Sequence, residues 1–196
     1  YLAETLDIPY VLSFDSAVKK SFSRWSISNR NCRGLIGFSG TVAAHLKKAY
    51  RKYDRIITQL NIGVFVEDFC SCFSEQNRVP SMVIAQRLEN VMSFEPLLGA
   101  LKHLAIDGYE FILGIVGTGP AESRIHEMVN ALGLSQRVTV VGKIRPLRPV
   151  FSDADIFIQP QANIDTSSRL LEAMSVGMIV AAARGSGNDI LLDGET

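Results

Sequence analysis

The stretch that decides the fold runs from Phe111 to Val141. Phe111-Ile112-Leu113-Gly114-Ile115-Val116 is a near-continuous apolar run, the pattern of a strand buried on both faces. Gly117-Thr118-Gly119 breaks it. Pro120 then opens a helix-like stretch to Leu132, because a first helical turn tolerates proline, and Gly133 closes that stretch. Val138-Thr139-Val140-Val141 is the next apolar run. Apolar strands separated by an amphipathic helix predict a parallel sheet covered by helices on both faces.

The same rhythm extends in both directions. Downstream come a short helix near Leu147–Ser152, the strand Ile156–Pro160, a helix Ser168–Val176 that ends at Gly177, and a strand Met178–Ala182. Upstream come the strand Met82–Ala85 and a helix Ser93–Leu104 with Phe94, Leu97, Leu98 and Leu101 at helical spacing. Further upstream, Tyr10–Phe14, Leu35–Ser39 and Arg55–Leu60 read as buried strands, with a helix over Gly40–Tyr50. The polar run Ser74–Pro80 reads as part of a linker. The expected class is α/β: a Rossmann-like, doubly wound parallel sheet over residues 81–196, a linker over 65–80, and part of a second α/β domain over 1–64.

Composition narrows the function. Of 196 residues, 47% are hydrophobic and 20% charged, which excludes intrinsic disorder and coiled coil. Twenty Lys and Arg balance twenty Asp and Glu, so the basic excess of a nucleic-acid binder is missing. No apolar run approaches the ~18 residues of a membrane helix. Three cysteines give no disulfide framework and suggest a reducing compartment. The chain opens at Tyr1 without an initiator Met or signal peptide and stops just after a turn signal, so it is expected to be a piece of a longer protein.

In an open parallel sheet, ligands bind beyond the carboxyl ends of the strands. Four loops there carry unusual residues. Arg87 follows directly on a strand, where a guanidinium can bind a phosphate through two parallel hydrogen bonds; the plain alternative is an ion pair with Glu89. Gly117 and Gly119 permit close approach of a ligand near a helix start, or serve only as a tight turn. Gly142, Lys143 and Ile144 lie beside a strand end and offer backbone groups to the edge of a flat ring, or form a basic surface loop. Asp165, Thr166, Ser167 and Ser168 lead into a helix whose first amides are unpaired, and Glu172 lies one turn inside it. A carboxylate there can accept two hydrogen bonds from a vicinal diol such as a ribose. The alternative is an i,i+3 pair between Arg169 and Glu172. His45, His103 and His126 fall on separate helices, and Cys70-Ser71-Cys72 has no second pair, so no metal site is expected. Neither a Gly-x-Ser-x-Gly elbow nor a Walker-type loop is present.

Taken together, these loops resemble the nucleotide-binding half of GT-B glycosyltransferases, especially the large retaining group 1, or family 4, enzymes. Val83–Leu88 resembles the family's "VGRL" strand, Ile115–Pro120 its "IVGdGP" turn, and Leu132–Val138 its "LGLsdrV". Ala154–Pro160 resembles "ADvfvlP", Leu170–Gly177 matches "LLEAMAcG", and Gly187–Thr196 resembles the closing "EiveDGET". Order and spacing agree over residues 81–196. Asn61-Ile62-Gly63-Val64 resembles the turn joining the two halves, which makes residues 1–60 the end of the acceptor-side domain.

The resemblance implies transfer of a sugar, with retention, from a nucleoside diphosphate sugar to a glycan or lipid-linked acceptor. Arg87 would neutralise the diphosphate, with Asp165 as a second catalytic candidate. Gly117, Gly119, Thr166, Ser167, Ser168 and Leu171 would surround the donor. Glu172 would hold the ribose, and Gly142, Lys143 and Ile144 would line the base. The resemblance implies no cofactor and no metal. It implies a cytoplasmic location in polysaccharide biosynthesis, with any peripheral contact to the inner membrane face made by segments outside this chain. Met92 stands where the family usually has Lys, Ile164 where it has its first carboxylate, and Thr166-Ser167-Ser168 replaces its Gly-Phe-Gly. These departures favour a second reading, a degenerate GT-B partner subunit. A third, a nicotinamide-dependent Rossmann enzyme, is disfavoured because Arg137–Val141 occupies the place of the expected ribose-binding acid.

Overall fold

The apolar runs form parallel strands, and the polar stretches between them cover the sheets. In the computed structural model, residues 2–15, 27–28, 30–66, 73, 78–161, 167–184 and 190–191 are described. The chain divides into two compact units, the first built mainly from residues up to Gly63 and the second from Val64–Ala162 and Ser168–Arg184.

In the first unit, a short helix α1 (Leu2–Thr5) precedes β1 (Tyr10–Phe14), and β2 (Cys32–Gly37), α2 (Gly40–Ala49) and β3 (Ile57–Gln59) follow. The three strands form a parallel sheet in the order β1-β2-β3. Ser39 caps α2, its buried hydroxyl accepting from the Val42 amide at 3.1 Å, which stops β2 and starts the helix within two residues. Val42 and Leu46, one turn apart, pack with Leu35 and Phe14 in this unit's core. Arg51–Ile56 is a 3₁₀ helix, so the strand expected at Arg55–Leu60 begins only at Ile57. The buried residues explain the difference. Tyr50, Tyr53 and Ile56 recur every third residue and turn toward the core, which is the 3₁₀ period and not the alternation of a strand.

The second unit holds a five-stranded parallel sheet in the order β6-β5-β4-β7-β8. Its elements are β4 (Ser81–Ala85), α3 (Glu95–Ile106), β5 (Ile112–Val116), α4 (Glu122–Ala131), β6 (Val138–Val141), α5 (Arg148–Ser152), β7 (Ile156–Gln159), α6 (Ser168–Ser175) and β8 (Ile179–Ala182). This is the doubly wound Rossmann order. Ile84, Leu113 and Ile115 meet Phe94, Leu98, Leu101, Ile125 and Val129 from the covering helices in one core. Phe151 packs edge-on to Phe157, ring centres 5.5 Å apart. A 3₁₀ turn at Val91–Ser93, capped by the Asn90 side chain accepting from the Met92 amide at 2.9 Å, delays α3 to Glu95.

Asp155 fixes where β4 starts. Fully buried, it accepts from the Ser81 amide, the Ser81 hydroxyl and the Phe73 amide, each at 2.8 Å, and is paired with Arg78. Burial opposes ionisation of this carboxyl. The converging donors, the Ser81 and Phe73 amides foremost, overcome it and lower the pKa from 3.8 to about 2.

Candidate functional site

The winding order determines where a ligand can sit in the second unit. From β4 the chain proceeds outward through β5 to β6, then returns past β4 to build β7 and β8. The loops therefore diverge at the carboxyl end of β4 and leave a crevice. A cavity of about 420 Å³ lies there. Ala85–Arg87 after β4, Val116–Gly119 after β5, Lys143–Arg145 after β6, Leu147 and the α6 residue Arg169 line it.

Its floor depends on two glycines. The Gln86 amide donates to the Val116 carbonyl at 3.1 Å, the Leu88 amide to the Thr118 carbonyl at 3.1 Å, and the Ala121 amide to the Leu88 carbonyl at 2.9 Å. These bonds zip the loop after β4 to the loop after β5. A β-carbon on Gly117 would run into the Gln86 carbonyl, whose carbon lies 3.1 Å away. A β-carbon on Gly119 would stand 2.6 Å from the Leu88 carbonyl carbon and 2.9 Å from its nitrogen. The close approach that the sequence pattern suggests is thus made first by neighbouring backbone.

Among the described residues the cavity is one-signed: Arg87, Lys143, Arg145 and Arg169 line it, and no described acidic residue does. The ion pair weighed against Arg87 does form, Nε lying 2.7 Å from Glu89 Oε1, but the side chains are 77% and 54% exposed. An exposed pair of this kind is worth about 0–1 kcal/mol, too little to withhold Arg87 from an anion. The i,i+3 pair between Arg169 and Glu172 does not form, and among the described residues no acid pairs with Lys143, Arg145 or Arg169. In a chain of zero formal charge, four cations on one cavity create a local field that attracts an anion.

Of the residues singled out from sequence, the structure brings Arg87, Gly117, Gly119, Lys143 and Ile144 to this cavity. Gly142 adjoins it in sequence, exposed. Ser168 opens α6 and Ser167 precedes it. Leu171 and Glu172 are half-buried on α6 and are not among the cavity's lining residues. Asp165, Thr166 and Ile164 lie outside the described residues. Met92 is 68% exposed and lines no part of the cavity. Gln86, Thr118, Arg145 and Arg169 are lining residues that sequence reasoning did not propose. Their only advance signal is position, since each is within a few residues of a strand's carboxyl end or a helix start.

The matches to known proteins agree with this architecture. The model of the family "Glycosyl transferases group 1" matches residues 79–196, and the chain belongs to that family, whose members are sugar-transferring enzymes. No curated protein matches the sequence. Among solved structures, a glycosyltransferase from Rickettsia africae superposes with a TM-score of 0.66 at 19% identity, covering 90% of this chain and 52% of its own. Anabaena HepE in complex with UDP-glucose superposes with a TM-score of 0.75 at 16% identity, covering 97% of this chain and 57% of its own. The pneumococcal O-GlcNAc transferase GtfA in complex with UDP and GlcNAc gives 0.64 at 19% identity, covering 84% of this chain and 33% of its own. This chain thus spans about half the length of the first two and has their GT-B fold. Among the described residues, no helix is long and apolar enough to cross a membrane.

Proposed function

We propose that this chain is the donor-binding portion of a retaining glycosyltransferase that moves a sugar from a nucleoside diphosphate to a glycan or lipid-linked acceptor. One observation carries the reading: among the described residues, four cations and no acid line a cavity at the carboxyl ends of the strands, within the segment the family model matches. The bond to be broken joins the anomeric carbon to the diphosphate, and negative charge develops on the leaving oxygen. Preorganised donors at that oxygen lower the barrier, each worth about 10²–10³ in rate. Arg87 supplies a planar fork for the phosphates. Arg169 adds the second cation that Met92 does not provide. The α6 amides following Ser167 and Ser168 donate to the same group, with Asp165 close by in sequence. Gly142, Lys143 and Ile144 line the base, and Glu172 holds the ribose. The acceptor is a polysaccharide or its lipid-linked precursor, on the cytoplasmic side.

Calorimetric titration with UDP and UDP-glucose tests the reading, because HepE is seen in complex with UDP and with UDP-glucose, and GtfA with UDP. Saturable binding that Arg87→Gln weakens is the expected outcome. Absence of heat with UDP, GDP and their sugars would overturn it. The sequence departures at Met92 and Ile164 favour a second reading, a partner subunit that has lost transfer. Under that reading the wild-type chain within its longer protein transfers no sugar, and Met92→Lys tightens diphosphate binding.

A further inference from the structure

A second basic cavity lies in the first unit, at the amino ends of its strands. It measures about 450 Å³ and is lined by Cys32, Arg33, Lys52, Tyr53, Arg55 and Ile56. The 3₁₀ helix Arg51–Ile56 explains how the cations come together. With three residues per turn, side chains at i and i+3 eclipse. Tyr53 and Ile56 share the edge that turns to the core. Arg51 and Asp54 share another, where opposite charges offset. Lys52 and Arg55 share the third, two like charges on one edge. Parallel pairing adds a third cation. Leu35 pairs with Ile57, which brings the start of β2 to the end of the 3₁₀ helix, and Arg33 lines the same cavity as Lys52 and Arg55.

Four described arginines outside this cavity find acids: Arg30 with Asp7 at 3.0 Å, Arg124 with Glu127 at 2.7 Å, Arg87 with Glu89 and Arg78 with Asp155. Residues 47–55 carry Lys47, Lys48, Arg51, Lys52 and Arg55 against Asp54 alone. Among the described residues, no acid pairs with Arg33, Lys52 or Arg55. The cluster has a fixed base. The Tyr53 hydroxyl donates to the Ile27 carbonyl in a buried bond, the ring is 5% exposed, and Lys52 Nζ sits 5.2 Å from its centre.

Three cations around one concavity, with no acid paired to them among the described residues, repel each other and focus a field that an anion relieves. Two guanidinium forks and one ammonium match the oxygens of a tetrahedral phosphate. We infer that Arg33, Lys52 and Arg55 form a phosphate-binding site separate from the cavity at Arg87, for a free phosphate or the phosphate of a lipid headgroup.

The full chain, isotope-labelled for amide NMR, is titrated with inorganic phosphate. Saturable shifts are expected at Arg33, Tyr53 and Arg55. The residue-specific readout separates them from shifts at Val116–Gly119. The Lys52→Gln/Arg55→Gln double variant keeps its fold, since both side chains are exposed, and is expected to bind roughly tenfold or more weakly at this site. Arg33→Gln provides an independent variant with the same expected direction. Arg87→Gln leaves the site unchanged. Flotation with phosphatidylcholine vesicles, with and without phosphatidylglycerol, identifies the source. Flotation that needs the anionic lipid and is lost in the double variant assigns a headgroup; phosphate shifts without flotation assign a free phosphate. No saturable shift at these residues in the wild type, or equal binding by the double variant, overturns the site.

Discussion

Gly119 lies against Leu88 so closely that the backbone of one occupies the space of a side chain on the other. A β-carbon on Gly119 would be 2.6 Å from the Leu88 carbonyl carbon, inside any real contact distance. Two hydrogen bonds hold this approach, Leu88 N to Thr118 O at 3.1 Å and Ala121 N to Leu88 O at 2.9 Å. Arg87 sits next to this contact, so the glycine that makes the turn also sets the position of the candidate phosphate ligand.

Gly119→Ala is therefore expected to cost stability and binding together. Neither neighbour is the end of a flexible side chain, so the backbone must move, at about 1–3 kcal/mol for overpacking of this kind. Urea unfolding should show a lowered midpoint with the slope unchanged, and calorimetry a weaker response to UDP. An unchanged midpoint would mean the loops separate freely and do not position Arg87.

Asp155 gives a prediction in pH. Its carboxyl titrates near 2 in the folded chain, below its ordinary 3.8. A lowered folded-state pKa contributes stability that is fully present above the unfolded value and is lost as pH falls through the folded one. The wild type should thus lose this contribution between about pH 4 and 2. Asp155→Ala leaves the Ser81 and Phe73 amides and the partly buried Arg78 without their acceptor. A loss of about 3 kcal/mol at neutral pH is expected. Chemical denaturation across pH checks both statements. A variant whose acid limb still parallels that of the wild type would assign the acid sensitivity to other carboxylates.

Arg169 and Arg87 approach the same cavity from different elements, one on α6 and one after β4. If both face a diphosphate, Arg169→Gln weakens UDP by roughly tenfold or more while uridine, which carries no phosphate, binds as before. A parallel loss for UDP and uridine would move Arg169 from the phosphates to the nucleoside.

Much of this architecture is legible in the residues, for a physical reason. The strands β4 to β8 are apolar runs, most deeply buried at β4 and β7 and partly exposed at β6 and β8, so they announce themselves, and the helices between them carry Pro and Gly at their ends. The reading fails where the period is three. Tyr50, Tyr53 and Ile56 are a 3₁₀ signature, yet Arg55–Leu60 looks extended because Ile56 and Ile57 are β-branched neighbours. α1 and the Val91–Ser93 turn are too short for any periodicity to register. At the site, Arg87, Lys143 and Ile144 are found because each directly follows a strand. Arg145 shares the loop after β6 with Lys143 and Ile144, and Arg169 is not found, because its arrival on α6 depends on β7 returning beside β4, a fact of sheet order and not of local sequence. The glycines were legible as close-approach positions, but what approaches them is settled only once the loops are folded together.

Glu172 supplies the last test, because its position and its proposed role can be separated. It lies half-buried on α6, three residues beyond Arg169, and is not among the residues lining the cavity. Its backbone carbonyl accepts from the Ser175 hydroxyl at 2.8 Å, a contact that substitution of the carboxylate leaves intact. A carboxylate that grips the ribose diol discriminates against a sugar lacking one hydroxyl, because a desolvated acceptor without its donor is costly. The wild type should therefore bind UDP more tightly than 2′-deoxy-UDP, and Glu172→Ala should erase the difference by weakening UDP while barely changing the deoxy analogue. The comparison is a two-by-two cycle, so a general loss of folding in the variant lowers both affinities and is recognised as such. Equal discrimination by wild type and variant would remove Glu172 from the ribose.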